Sequence, residues 1–189
     1  MAAELRSELP GLDLWWSVAP GGVGPVPDAL ERRLRALSDR GRGIDAVALR
    51  SRPVVRAYRV FARQVGLDPD HERVPAESAA VARLIHGRHR ARERIAAACL
   101  VAVIETGVGI RALDARAVAA EGPGLRLDGR RVVVADPDRV HAPLFGEPLP
   151  GSAPGPQTRT VVLFAVGVPG VPEVHLHEAL WQAQEALGA

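Results

Sequence analysis

The sequence contains neither lysine nor asparagine, and its only cysteine is Cys99. Because a single thiol cannot form an internal disulfide, the sequence is typical of a protein from a reducing compartment, and we expect a cytoplasmic location. Every basic side chain other than histidine is an arginine, a composition that GC-rich codon usage alone explains. Arginine binds phosphate better than lysine does, but a net charge of +2 permits RNA binding without indicating it.

Long hydrophobic runs are also missing. The longest, residues 95–104, is far shorter than the roughly 20 residues that span a bilayer, so we expect no membrane-spanning helix and no membrane partner. The start of the chain, MAAELRSELP, includes acidic side chains and no long apolar stretch, which argues against a secretory signal. The 189 residues, of which 47% are hydrophobic and 24% charged, instead predict one substantial globular domain.

Helical periodicity dominates the first half of the chain. Asp28 and Glu31 have the spacing of a capping box, at the start of a helix over 28–40. The same periodicity predicts helices over 53–65, 76–86 and 94–106, and a final amphipathic helix that carries Leu176, Leu180, Ala183 and Leu187. Four arginines lie off the apolar stripe of helix 53–65, and we expect them to face solvent. They are Arg52, Arg56, Arg59 and Arg63. Helix 94–106 is apolar around its whole circumference, so we expect it to be buried on all sides.

Short apolar runs separated by glycine and proline predict strands in the second half. After a first, aromatic strand over 11–19, the predicted strands are 109–113, 124–127, 130–135 and 158–167. The stretch 143–157, rich in proline and glycine, is too irregular for either a helix or a strand. Helices that precede a run of strands favour an α+β fold with mostly antiparallel pairing over a doubly wound sheet.

The sequence carries no motif for a metal, a cofactor or a nucleophile. His175 and His177 are two residues apart and would point to nearly opposite sides of a helix, and a glycine interrupts the helix between His86 and His89. A zinc site needs further ligands that no second cluster provides, so we expect neither metal nor cofactor. Cys99 lies inside an apolar helix, where a thiol packs as a small hydrophobic group and its pKa rises. There is no serine nucleophile elbow and no glycine-rich phosphate loop with a following lysine.

A basic segment with the sequence GRHRARER, residues 87–94, is the best candidate for contact with an anion. In this segment, termed the basic connector, the residues predicted to bind RNA are Arg88, Arg90, Arg92 and Arg94. Phosphate contacts of this kind make binding depend steeply on salt concentration. The alternative is that the basic connector forms an ordinary solvated loop.

Taken together, four segments resemble the B3/B4 domain, the tRNA-binding and editing domain of the phenylalanyl-tRNA synthetase beta subunit, which also exists as free-standing proteins. The segments are AYRVFARQVGLDPDHERVPAESAAVARLI (57–85), RIAAACLVAVIETGVGIRALD (94–114), LDGRRVVVAD (127–136) and TRTVVLFAVG (158–167). The fit is best to the free-standing members. The resemblance implies a single domain over 10–189 after an N-terminal extension, residues 1–9, and it implies a three-layer β/β/α arrangement.

The resemblance also implies a pocket. In the synthetase domain the central helix carries a Thr-Asn pair, a His follows the Thr by twelve positions, and a Glu precedes a Ser further along. Aligned on the ETG corner, these positions fall on Cys99, Leu100, Arg111 and Gly151, and the threonine that follows the Ser falls on Thr158. Because the polar editing groups are altered, the sequence names no catalytic residue. Arginine cannot act as a general base near neutral pH, but it can bind a carboxylate or a phosphate through two parallel hydrogen bonds.

The resemblance and the basic connector together favour an RNA-binding module, for tRNA or an aminoacyl-tRNA end. Two alternatives stay open. One is a protein that binds a small carboxylate or an amino acid through Arg111. The other is an aminoacyl-tRNA trans-editing hydrolase with a different base, for which Glu77, Glu105 and Glu147 are candidates. Without any such role, Arg111 would form a salt bridge with Glu105 or Asp114.

Overall fold

The structure, a computed structural model, describes residues 3–41 and 46–188. The helices over these residues are α1 (Ala3–Glu8), α2 (Asp28–Arg40), α3 (Ala46–Arg50), α4 (Pro53–Gln64), α5 (Pro75–His86), α6 (Arg94–Thr106) and α7 (Glu173–Gly188). The strands are β1 (Asp13–Pro20), β2 (Ile110–Asp114), β3 (Gly124–Asp128), β4 (Arg131–Ala135), β5 (Val140–Pro143) and β6 (Thr160–Gly167). None of the helices in these ranges combines the length and the apolarity needed to cross a bilayer.

The strands form two antiparallel sheets of three strands each. In the first sheet the order is β1-β6-β2, and Trp16 and Arg111 both pair with Phe164 of β6. Paired residues lie on the same face of a sheet, so these three side chains share one face. Strand β6 is buried along nearly its whole length, because both faces of the first sheet are covered. In the second sheet the order is β3-β4-β5. The turn between β3 and β4 contains Gly129, which has a positive φ of 59°.

Three layers result: helices, the first sheet and the second sheet. On one face of the first sheet, Gly167 lies so close to Leu176 of α7 that an added Cβ would be 3.0 Å from that side chain. Helix α7 packs in turn against α6. On the opposite face, the ring of Trp16 lies against Gly122, just before β3, and leaves no room for a Cβ there. The second sheet therefore lies on the side away from α7 and α6, and the predicted α+β fold with a β/β/α arrangement is confirmed.

Three short elements, α1, α3 and β5, are not predicted from the sequence. Each has six residues or fewer, too few for a periodic pattern to show. Helix α1 lies within the predicted N-terminal extension, yet Leu5 is 0% exposed and belongs to the core of the domain. The capping-box prediction is wrong: α2 begins at Asp28 itself, after Pro27 in an extended conformation, and no side chain caps its start.

The arginines of α4 do not all face solvent. Arg59, predicted on a solvated face, is buried and donates to Glu77 Oε2 at 2.8 Å and to Asp70 Oδ1 at 2.6 Å. Arg50 donates to the same Glu77 at 2.9 Å. These bonds join α3 and α4 to the start of α5. They also give buried Arg59 and Glu77 the oppositely charged partners that buried charges need. The prediction fails for Arg59 because its side of α4 packs against another element that supplies carboxylates.

Candidate functional site

An open cleft of about 1020 Å³ lies between the basic connector, α6 and the first residues of β2. Its floor is apolar and consists of Ile95, Leu100 and Val103 of α6 with Ile110 of β2. The loop after β1, helix α5 and the irregular loop 143–157 complete its walls. An apolar floor with a few polar groups at the edge is the usual form of a ligand-binding site.

The cleft explains why α6 is apolar on every side. Predicted to be buried all round, this helix instead leaves Ala96 exposed and Leu100 half-buried. Both residues line the cleft, with Cys99 beside them. The prediction of complete burial is therefore wrong along one stripe of the helix, because that stripe faces the cleft and not a neighbouring element.

Three arginines from two separate parts of the chain line this cleft. Arg90 and Arg92 belong to the basic connector and are exposed. Arg111 belongs to β2, and its side chain is only 23% exposed. Of the other two residues predicted to bind RNA, Arg88 is exposed but does not line the cleft, and Arg94 is used within the fold.

The N-terminal end of α6 lies at the same cleft. Ile95 and Ala96 of its first turn line the cleft, as does the N-cap residue Glu93, whose side chain makes no capping hydrogen bond. The Arg94 N–H donates to the carbonyl oxygen of Gly24 at 3.0 Å, and the Arg94 guanidinium donates to that of Leu187. Arg94 thus joins α6 to the end of α7. The helix dipole is positive at this end, and the Glu93 carboxylate at the N-cap offsets it in part.

Arg111 pairs with a glutamate from the irregular loop. Its Nη2 lies 2.9 Å from Glu147 Oε1, and its Nη1 donates to the carbonyl oxygen of Ile110 at 3.1 Å. The Nε of Arg111 is buried and has no hydrogen-bond partner among the described residues. The Glu147 side chain, in contrast, is 77% exposed. The two charges therefore meet at the edge of the cleft, with the arginine inside and the glutamate towards solvent.

Neither salt-bridge partner predicted for this arginine is correct. Glu105 accepts hydrogen bonds from Arg33 at 2.5 Å and from Arg40 at 3.4 Å, both on α2. Asp114 is three residues further along β2, and side chains alternate between the faces of a strand, so it lies on the opposite face. The partner that does occur, Glu147, lies in a loop whose course no periodic pattern fixes.

Cys99 and Leu100, two of the residues predicted for a pocket, line the cleft. The Cys99 thiol is buried, and burial raises its pKa to about 12. A thiol with that pKa stays protonated at physiological pH and is a poor nucleophile. A protonated thiol and a leucine make this part of the floor apolar, where the synthetase domain carries a threonine and an asparagine.

Gly151 and Thr158, the other two residues predicted for the pocket, do not line the cleft. Thr158 is fully buried, and its hydroxyl donates to Asp114 Oδ2 at 2.6 Å. Gly151 is exposed and has a φ of 87° in the irregular loop. Spacing alone could not position residues of a loop without regular structure, and the loop brings Glu147 to the cleft instead.

A buried Ser-His-Asp set anchors the irregular loop, and no motif in the sequence indicates it. His141 Nε2 lies 2.8 Å from Asp136 Oδ2, and His141 Nδ1 lies 3.0 Å from Ser152 Oγ. Burial acts to raise the pKa of Asp136, but hydrogen bonds from three backbone N–H groups and from His141 outweigh it and hold the pKa at about 2. The His141 side chain is 0% exposed, and none of the three residues lines the cleft. The serine has no route to a substrate, so we assign the set a structural role.

Of the three glutamates considered as a catalytic base, Glu147 alone lines this cleft. Glu77 is held by two arginines of α3 and α4. Glu105 lines a second cleft of about 780 Å³, where Arg33 and Arg40 of α2 pair with it. Within the described part of the chain, no three His, Cys, Asp or Glu side chains are grouped so that they could hold a metal ion.

No protein-family model matches the chain, and a search of curated proteins finds no match either. The cleft itself combines an apolar floor, three arginines from two segments and one exposed glutamate that is bonded to the innermost arginine. These groups suit a ligand that carries both negative charge and an apolar or planar part.

Proposed function

We propose that this chain is a free-standing RNA-binding module of the B3/B4 type, and that its cleft receives tRNA or an aminoacyl-tRNA end. The observation that supports this most strongly is that Arg90, Arg92 and Arg111 line one cleft, although they come from two separate segments. A ligand that fills the cleft therefore meets all three positive charges. Phosphate contacts supply much of the affinity of proteins for nucleic acids.

Arg90 and Arg92 are the phosphate contacts in this proposal. Both are exposed on a segment that has neither helix nor strand, so their guanidinium groups can adapt to a backbone of variable course. A guanidinium group binds a phosphate through two parallel hydrogen bonds, which a lysine cannot do.

The apolar floor is the second part of the proposed interface. Ala96, which is exposed, and Leu100, which is half-buried, offer an apolar surface on which an unstacked base or the side chain of an aminoacyl group can pack. Such a surface does not select one base by hydrogen bonds, so binding through it is tolerant of sequence. The open form of the cleft suits the end of a larger molecule.

The groups at the predicted editing positions favour binding over hydrolysis. Arg111 stays protonated and cannot take a proton from water. Cys99 is held as the thiol, because burial raises its pKa to about 12. A general base needs a free lone pair within reach of the attacking water.

A second candidate function, binding of a small carboxylate or an amino acid, is supported by one specific contact. The Glu147 carboxylate lies on the Arg111 guanidinium, so a carboxylate fits that position. Arg111 has a buried Nε without a partner, which a free carboxylate would satisfy. Calorimetric titration with free amino acids, which measures the heat of binding, tests this candidate directly.

The test of the proposed function compares intact bulk tRNA with tRNA from which the 3′-terminal CCA has been removed. We expect wild type to bind the intact tRNA at low salt and the trimmed tRNA several-fold more weakly. An Arg90→Ala/Arg92→Ala variant should bind intact tRNA at least about tenfold more weakly, since hydrogen bonds to charged groups are worth about 1.5–3 kcal/mol each. If wild type binds neither tRNA at low salt, the RNA proposal fails. If wild type binds the two tRNAs equally, the cleft does not receive the 3′ end of tRNA.

A further inference from the structure

The Arg111 guanidinium has more donors than the fold uses. The side chain carries five N–H donors in a planar fork. Nη1 donates to Ile110 and Nη2 pairs with Glu147, but Nε, which shares an edge of the fork with Nη2, is buried without a partner. A carboxylate or a phosphate normally engages such an edge with two parallel hydrogen bonds. In this structure the edge is therefore only half used.

Glu147 is held in a way that lets its side chain leave while the loop stays. The backbone on either side is fixed, because the Gly146 N–H donates to the carbonyl oxygen of Pro143 at 3.1 Å and the Leu149 N–H donates to that of His141 at 2.7 Å. The Glu147 side chain itself is 77% exposed. An ion pair with one partner so exposed contributes little free energy, so an exchange with another anion costs little.

We propose that Arg111 forms an oxyanion subsite which Glu147 occupies in the absence of ligand, and that a phosphate or carboxylate group of the ligand displaces Glu147 and takes both Nε and Nη2. This inference rests on the proposed function in one respect, that the cleft receives an anionic ligand. It adds that Glu147 limits the affinity of Arg111 for the ligand, and it names the class of chemical group that binds to Arg111. The group needs two oxygen atoms able to accept in parallel.

The position of the subsite fits a ligand that extends along the cleft. Arg111 belongs to β2, while Arg90 and Arg92 stand on the basic connector, and all three line the same space. One end of the ligand would meet the connector, and its terminal oxyanion would meet Arg111. A phosphate of an RNA end and the carboxylate of a free amino acid share this chemistry.

Glu93 provides a matched control for Glu147. It also lines the cleft and carries the same charge, but Arg111 makes no ion pair with it. The variants Glu147→Gln and Glu93→Gln therefore remove equal charge from the same cleft, and only the first removes the proposed occupant. A third variant, Arg111→Lys, keeps the positive charge and removes the planar fork.

The test follows the Arg111 Nε–H signal by ¹⁵N–¹H NMR, assigned by its loss in Arg111→Lys, while inorganic phosphate or acetate is added. We expect both anions to shift this signal in wild type, and Glu147→Gln to reach half-saturation at about one fifth of the wild-type concentration, the change that loss of an exposed ion pair supports. Glu93→Gln should stay within about twofold of wild type, as expected for a charge that is not paired with the arginine. Preference for phosphate would point to an RNA phosphate as the natural group, and preference for acetate to a free carboxylate.

Three results would overturn the inference: an unmoved Arg111 signal, a Glu147→Gln midpoint equal to that of wild type, or an equal effect of Glu93→Gln. The proposed function fails separately. If tRNA does not bind but phosphate moves the Arg111 signal more readily in Glu147→Gln, the subsite stands and the RNA ligand is wrong. If tRNA binds through Arg90 and Arg92 while the Arg111 signal does not respond, only the subsite is wrong.

Discussion

The Thr158 hydroxyl donates to Asp114 Oδ2 at 2.6 Å, and this bond joins the end of β2 to the segment that enters β6. The same Thr158 oxygen accepts from the Gly155 N–H at 2.9 Å, and Arg116 donates to Asp114 Oδ2 at 2.7 Å. Another bond at the same place runs from the Asp114 N–H to the carbonyl oxygen of Ser152 at 2.9 Å. The irregular loop that brings Glu147 to the cleft is thus closed at its base by buried polar contacts.

Replacement of Thr158 by valine should destabilise the fold. The two side chains have the same shape, but valine leaves the Gly155 N–H without an acceptor and removes a hydrogen bond from buried Asp114. We expect the free energy of unfolding to fall by about 1–3 kcal/mol, measured by urea denaturation. Thr160→Val, two residues further along and only half-buried, is the control and should change little. Equal stability of the two variants would contradict the role assigned to Thr158.

Stability should decline in acid because of Asp114. Hydrogen bonds from Arg116 and Thr158 hold the pKa of Asp114 well below its ordinary value. A group with a depressed pKa in the fold stabilises it above the unfolded-state pKa, about 3.9 for aspartate, and loses that contribution as pH falls towards the folded-state pKa. Asp136 contributes to stability over the same pH range, because its pKa is also lowered, to about 2.

We therefore expect the urea midpoint to fall progressively below about pH 4, where carboxylates begin to take up protons. In Asp114→Asn the midpoint should be lower at neutral pH, and it should fall less on acidification, because the group that titrates is gone. An acid decline in Asp114→Asn as steep as that of wild type would show that this carboxylate does not contribute.

Ser152 of the Ser-His-Asp set should not react as a nucleophile in the folded protein. Ser152 and His141 are buried and do not line the cleft, so a serine-directed fluorophosphonate cannot reach the hydroxyl. We expect the intact mass of the folded protein to stay unchanged after treatment. Ser152→Ala should instead cost about 1 kcal/mol of stability, because one nitrogen of buried His141 loses its partner. Labelling that disappears in Ser152→Ala would mean that the set is accessible and that a hydrolase has to be considered.

Cys99 should resist alkylation in the folded protein. Its thiol is buried and its pKa is raised to about 12, so little thiolate forms at pH 8. We expect iodoacetamide to modify it slowly in buffer and rapidly in urea, with mass spectrometry as the readout. Fast modification of the folded protein would mean that this part of the cleft floor opens to solvent.

The fold could be predicted from the sequence where the pattern is local. The stripes of α2, α4 and α5 and the apolar run of β6 identify those elements, since a helix or strand buries its own periodic face. The partners of charged side chains could not be predicted. Arg111 and Glu147 are distant in sequence, and the course of the irregular loop that carries Glu147 depends on buried contacts that leave no spacing signal.

The candidate site could be predicted only in part. The resemblance placed Cys99, Leu100 and Arg111 on one surface because they lie on a regular helix and the strand after it. It also places Gly151 and Thr158 in the pocket, but neither lines the cleft, because both positions depend on an irregular loop. Among the connector arginines, the sequence could not separate Arg90 from Arg94, since the carbonyl group that holds Arg94 belongs to the far end of the chain. Membership of the B3/B4 family stays a prediction.

The central claim is that Arg90 and Arg92 contact RNA phosphate at the cleft, and the salt dependence of tRNA binding tests it most directly. The measurement compares wild type, Arg90→Ala/Arg92→Ala and a control, Arg130→Ala/Arg131→Ala, which removes two exposed arginines from the turn between β3 and β4. We expect the slope of log affinity against log salt to become shallower by about 2 in the first variant and to stay unchanged in the control. Equal slopes in the two variants would contradict the claim, because they would show that any pair of surface arginines serves as well.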